Sequence, residues 1–125
     1  MNLLLDTHVL LWWLDDNPSL SPDARSAIAD PGNGVHVSSV NIWEIVIKSG
    51  KGKLEIPADW REVIHEEPFR QLPITWEHTL KVGELPAVHQ DPFDRLLVAQ
   101  SLVENLVLVT HDDILEQYGA KLLKT

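Results

Sequence analysis

The chain has no cysteine, which excludes a disulfide framework, a thiolate zinc site and a cysteine nucleophile. No apolar run approaches the length of a membrane span, and the first apolar stretch lacks a basic start and is interrupted by Asp6. A signal peptide and a membrane anchor are therefore not expected, and a soluble, cytoplasmic protein is. Internal repeats and low-complexity tracts are absent as well. Cations are scarce: 10 Lys and Arg stand against 19 Asp and Glu, for a net charge of −9. That balance argues against a protein that coats nucleic acid through a broad basic field. It does not exclude an enzyme acting on nucleic acid, because bound metal ions offset acidic charge locally. What is present is 125 residues, 44% of them hydrophobic, enough for one domain over 1–125 with a real core.

Strand and helix signals alternate along the chain. Asn2–Leu5 reads as a buried strand, followed by a helix over His8–Leu14 capped by Asp6 or Thr7. Ser21-Pro22-Asp23 has the form of an N-cap with proline at the first helical position and opens a helix over Pro22–Ala29, after which Asp30–Gly34 is a turn. Val35–Ser38 reads as the second strand, and Ser38 or Ser39 caps a helix over Val40–Lys48. Beyond the Gly50–Pro57 loop, a short helix over Asp59–Glu66, a strand over Phe69–Leu72 and a helix over Trp76–Glu84 are expected. Phe93–Val103 has strong amphipathic spacing, Leu106–Val109 is the clearest strand, and a short helix and a last strand over Ala120–Leu123 follow. This alternation predicts an α/β fold, a mostly parallel sheet covered on both faces.

In such a sheet the carboxyl ends of the strands and the amino ends of the helices share one edge, where ligands bind. Four acidic positions fall there: Asp6, Glu44, Asp94 and Asp112. Carboxylates gathered closely stay ionised only with positive charge among them, and a hard divalent cation supplies it. Each also has a plainer reading. Asp6 could simply cap a helix, and Asp91 is better read as the N-cap ahead of Pro92 than as a ligand. Asp94 needs no capping role, yet precedes a helix face that packs on the sheet. Glu44 lies among Ile42, Trp43, Ile45, Val46 and Ile47, where an uncompensated carboxylate is expensive to bury; it could instead be a surface residue paired with Lys48 at i,i+4. Asp113 competes with Asp112 for the fourth position.

The densest cationic cluster, Lys48, Lys51 and Lys53, ends a helix in a glycine-rich exit. It would complement the helix dipole or contact substrate phosphates. His8, His89 and His111 fall near the same edge and are assigned at most a supporting role behind the ligands. The helix over His8–Leu14, with two adjacent tryptophans, carries more apolar area than one sheet contact requires. That area is buried within the monomer or by a second chain.

The ordered set of motifs resembles the PIN-domain ribonucleases, specifically the VapC-type toxins of bacterial toxin–antitoxin pairs. The matching stretches are Leu4-Leu5-Asp6-Thr7-His8 with Leu11-Trp12, Ser38 through Ile45 with Lys48 and Gly52-Lys53-Leu54, Asp91 through Gln100, and Leu108-Val109-Thr110-His111-Asp112. They are collinear over nearly the whole chain. The resemblance implies a three-layer α/β/α sandwich around the sheet, with Mg²⁺ or Mn²⁺ bound by acids for RNA hydrolysis. Carried over, the acids fall on Asp6, Glu44, Asp94 and Asp112 and the supporting hydroxyl on Thr110, while Asp91 and Arg95 serve local structure or substrate phosphates. The resemblance also implies a homodimer and an antitoxin whose tail lies in a groove near the active site.

The chemistry suits these residue types, since divalent ions activate water and stabilise charge on the attacking and leaving oxygens. Three alternatives are weighed beside it. A metal-independent ribonuclease would use two of the six histidines as acid and base. A phosphatase with Asp6 as nucleophile expects a second aspartate where His8 stands. A phospho-accepting receiver expects an acidic pair after the first strand and a strand-terminal aspartate near the middle of the chain, and neither is there. A degenerate PIN scaffold, a non-catalytic module that binds without cutting, is opposed by the intact acid set. The class of RNA is not legible.

Overall fold

The computed structural model describes residues 1–125. Five strands, β1 (Asn2–Leu5), β2 (Gly34–Ser38), β3 (Arg70–Leu72), β4 (Val107–Thr110) and β5 (Leu122–Lys124), pair in the order β3-β2-β1-β4-β5. Every pairing is parallel. The helices are α1 (Thr7–Leu14), α2 (Pro22–Ala29), α3 (Ser39–Gly50), α4 (Trp60–Glu66), α5 (Trp76–Glu84) and α6 (Pro92–Glu104). A 3₁₀ segment, Asp113–Tyr118, links β4 to β5.

The central strand shows why the sheet is covered twice. Successive side chains of a strand point to opposite faces, and in β1 Leu3 and Leu5 join a core with Val9, Leu10, Ala24 and Ile45, while Leu4 joins another with Leu97, Leu108 and Leu115. All three β1 leucines are fully buried, each worth about 1.5–3 kcal/mol of transfer free energy. The result is the expected three-layer α/β/α sandwich. The chain leaves β1 towards β2 and β3, then returns to the other side of β1 as β4. The carboxyl ends of β1 and β4 therefore flank the point where strand order reverses, the place where open α/β sheets make their clefts.

Most expected elements appear within one or two residues of their predicted bounds. The last strand is shifted: Gly119 closes the 3₁₀ segment at φ 77°, and strand pairing starts only at Leu122 opposite Leu108. Ala120 thus lies in the exit. The tryptophans of α1, Trp12 and Trp13, are half-buried against the first core. The most exposed apolar side chains are Trp76 and Leu80 of α5 instead. No helix is long and apolar enough to cross a membrane.

Candidate active site

Asp6 follows β1 directly and is the N-cap of α1. One oxygen accepts from the backbone N–H of His8 at 2.8 Å and of Val9 at 3.2 Å. The other accepts from the Thr110 hydroxyl at 2.6 Å. Thr110, fully buried at the end of β4, also accepts from the backbone N–H of Asp112 at 3.1 Å. Capping and cleft lining are therefore the same placement for Asp6, because the donors of a helix N-terminus aim at the sheet edge.

Glu44 is delivered by α3. Ser38 and Asn41 form a reciprocal capping box at its start. The Asn41 amide then donates to Leu5 O at 3.0 Å and Thr7 Oγ1 at 3.1 Å, fastening α3 to the β1–α1 junction. Ser38 Oγ donates to Gln100 at 2.6 Å, which ties α3 to α6 as well. Glu44 is 4% exposed and ion-paired with Lys48 one turn later. The surface reading of Glu44 therefore fails, because the carboxylate is buried, while the i,i+4 pairing with Lys48 that it invoked is present and supplies the compensating charge. Lys48 is held above the usual lysine range, chiefly by its hydrogen bond to Glu44, with desolvation opposing.

Asp91 caps α6, accepting from the N–H groups of Phe93 at 2.9 Å and Asp94 at 3.2 Å. That leaves the Asp94 carboxylate free to face the cleft, where its Oδ2 accepts from His89 Nε2 at 2.8 Å. Burial raises the Asp94 pKa to about 6, with the Asp91 and Asp6 charges adding to it and the His89 hydrogen bond opposing. Asp112 caps the 3₁₀ segment through Ile114 N–H at 3.1 Å, and its Oδ2 lies 3.8 Å from His89 Nε2. Asp113 points to solvent and pairs with Lys124 at 3.2 Å.

Asp6, Glu44, Asp94 and Asp112 line one cleft of about 270 Å³, with Asp91, Lys48, Thr7, His8 and His111 and no hydrophobic residue. Lys53 joins Lys48 on an adjoining recess. Lys51, the C-cap of α3, is exposed and lines neither. Arg95 turns away: its guanidinium donates to the carbonyls of Pro86 at 2.8 Å and Val82 at 3.1 Å and packs on Tyr118. It holds the loop ahead of α6, and no substrate phosphate is needed to satisfy it. His89 is closer to the centre than the sequence suggested. One donor atom each from His89, Asp94 and Asp112 lies within 4.8 Å of the others. Its signal in the sequence was only its place five residues before Asp94, in a loop whose path is set by Arg95 and Tyr118.

Hard carboxylate oxygens in a cleft without apolar lining fit Mg²⁺ or Mn²⁺, and an imidazole nitrogen among them shifts the balance towards Mn²⁺. A search of curated proteins gives no match. The fold is similar to that of VapBC2 from Rickettsia felis bound to a DNA fragment from its promoter, with TM-score 0.76 and 18% identity over 99% of this chain and 98% of that one. DNA-bound VapBC from Salmonella typhimurium gives TM-score 0.73 and 17% identity over 99% and 98%. VapBC-1 from nontypeable Haemophilus influenzae gives 0.70 and 19% over 99% and 98%. The family model for the PIN domain matches residues 3–121, and the chain belongs to the PIN domain family.

Proposed function

We propose that this protein is a metal-dependent endoribonuclease and the toxin of a toxin–antitoxin pair, acting in the cytoplasm. The observation that carries this is the convergence of four carboxylates from four separate segments, Asp6, Glu44, Asp94 and Asp112, on one polar cleft. One or two divalent cations there would activate water and neutralise charge on the phosphate being cleaved. The chain's own residues prepare for that. Asp6 is held in one orientation by Thr110 and the α1 N–H groups. Lys48 neutralises Glu44, and its ammonium would move to a phosphate oxygen as a cation takes over the carboxylate. His89 positions Asp94.

The similarity to VapBC structures supports an antitoxin partner, and so does an apolar groove of about 350 Å³ between α1, α4 and the loop before α4, lined by Leu11, Trp12, Ile56 and Trp60. His8 lines both groove and cleft, so a peptide in the groove would reach the acids. A homodimer would use exposed Trp76 and Leu80 on α5 rather than α1.

A histidine-based mechanism has one observation in its favour, the presence of both His8 and His111 on the cleft. Digestion of total cellular RNA by the purified chain, with mapping of the new ends, separates the two. Cleavage that needs Mg²⁺ or Mn²⁺, leaves 5′-phosphates and is lost in Asp6→Asn is the expected result. Cyclic 2′,3′-phosphate ends formed in EDTA would overturn the metal reading, and intact RNA under all conditions would overturn the nuclease.

A further inference from the structure

Trp43 stands on α3 immediately before Glu44, and 47% of its surface is exposed. Its indole meets the Phe93 ring edge-on, with centroids 4.9 Å apart and planes at 70°. Phe93 in turn immediately precedes Asp94. Lys48 Nζ lies 5.9 Å from the centroid of the same phenyl ring while pairing with Glu44. Acid, cation and aromatic surface are thus built from adjacent residues of two helices. The Phe93 contact fixes the indole's orientation, but packing α3 on α6 does not require a tryptophan with nearly half its area in water. Trp76 is more exposed still, yet α5 contributes nothing to the cleft. Further π surface adjoins the cleft at α1: Trp12 takes His111 edge-on at 5.3 Å and lies 6.2 Å from His8, and both histidines line the acids.

We propose that the exposed face of Trp43 is a nucleobase-stacking subsite that takes the base of a nucleotide next to the phosphate held at the acids. The proposal rests on the nuclease reading and adds how the strand is gripped. A chain of net charge −9 cannot hold a polyanion by a broad field, whereas stacking on an indole is indifferent to charge and tolerant of base identity. A base laid on Trp43 has left its helix stack, so the subsite selects unpaired RNA. Lys48, beside the Phe93 ring, would meet a phosphate next to that base, and Lys53, which shares a recess with Lys48, His8 and Leu11, would meet one further along the strand.

The test uses the full chain carrying Asp6→Asn, which keeps bound RNA intact, and measures fluorescence anisotropy of a short labelled oligouridine and of an abasic ribose-phosphate chain of equal length. The parent should bind the oligouridine on the order of tenfold more tightly than the abasic chain. Trp43→Ala should lower oligouridine affinity by about that factor and leave abasic affinity unchanged. Trp43→Leu, which keeps apolar contact with Phe93, should behave like alanine, and Trp43→Phe should retain most of the preference. Equal binding of the two chains by the parent, or an unchanged preference in both the alanine and leucine variants, overturns the subsite. So does a change in sedimentation with the preference intact, which would make Trp43 a contact between copies. Cleavage of cellular RNA by the unsubstituted chain is scored separately: RNA cut in Mg²⁺ with no role for Trp43 removes the subsite alone, and neither cutting nor binding removes both.

Discussion

Asp6 and Asp94 line the same cleft and are held in opposite ways. Asp6 accepts from two backbone N–H groups and the Thr110 hydroxyl, all part of the β1–α1–β4 framework. Asp94 has one partner, the half-buried His89, and its N-terminal helix donors are already used by Asp91. The first carboxylate is a structural part of the fold that also faces the cleft. The second is desolvated without matching hydrogen bonds, which is why its pKa lies near 6. A site divided this way has one rigid wall, made by the sheet and its caps, and one wall that is electrostatically incomplete, which a bound cation would complete.

The largest expected effect tests the rigid wall. Asp6→Ala removes the α1 cap and leaves the Thr110 hydroxyl, in a fully buried residue, without its acceptor. We expect a loss of about 2–3 kcal/mol in urea unfolding, together with loss of cleavage. Asp112→Ala removes a cap from the partly exposed 3₁₀ segment and should lower stability by about 1 kcal/mol or less. Equal losses would break the contrast between a framework acid and an added one.

The next effect concerns the incomplete wall. A carboxyl whose folded pKa, about 6, exceeds its unfolded value makes the folded state bind the proton more tightly between these values. Stability is then lost as pH rises through that window. Asp94→Asn removes the titration and still offers His89 an oxygen. Without metal, the variant should match the parent near pH 4 and exceed it above pH 6. The gain should be on the order of 1 kcal/mol once the shift is discounted for solvent contact. Thermal melts across pH measure it. Added Mn²⁺ should reverse the order, raising the parent's midpoint and leaving the variant's in place; a variant less stable than the metal-free parent at pH 7.5 would show that Asp94 is not under strain.

Legibility in the sequence followed the same division. Periodicity and capping residues located β1, α2, α5 and α6 well, because local chemistry decides them: Ser21 and Pro22 open α2, and Asp91 and Pro92 open α6. Asp6 and Asp112 were found because each lies where a strand gives way to a helix, and the strand order sets the ends of β1 and β4 side by side. Glu44 sits just over one turn inside α3, and Asp94 opens α6, which follows a loop after α5 and not a strand. Contacts across the fold were not legible. Nothing near His89 in sequence indicates that it reaches towards Asp112, since the Tyr118 hydroxyl and Arg95 set its loop. Arg95 read equally well as a phosphate contact, because the carbonyls it satisfies, Val82 in the last turn of α5 and Pro86 in the loop beyond, are brought to it only by the packing of α5 on α6. The Lys48, Lys51 and Lys53 cluster separated for a helical reason: with about 100° of turn per residue, Lys48 shares the face of Glu44, while Lys51 caps the end and points away.

The smallest effect is the most discriminating for the doubled acid. Asp112 and Asp113 are chemically alike and adjacent, so composition offers no choice between them. The backbone does. Asp112 keeps extended geometry at the end of β4 and faces His89, whereas Asp113 begins the 3₁₀ segment and rotates outward to Lys124 with 81% of its side chain exposed. An exposed pair of this kind contributes little, and salt screens what it does contribute. Asp113→Asn should therefore leave both the melting midpoint and Mn²⁺ affinity, measured by calorimetry, unchanged. Asp112→Asn, with the cap oxygen retained, should weaken Mn²⁺ by about tenfold or more. The reverse pattern would mean that the 3₁₀ segment rotates when a cation binds, and the incomplete wall would then include a moving part as well as an unfilled charge.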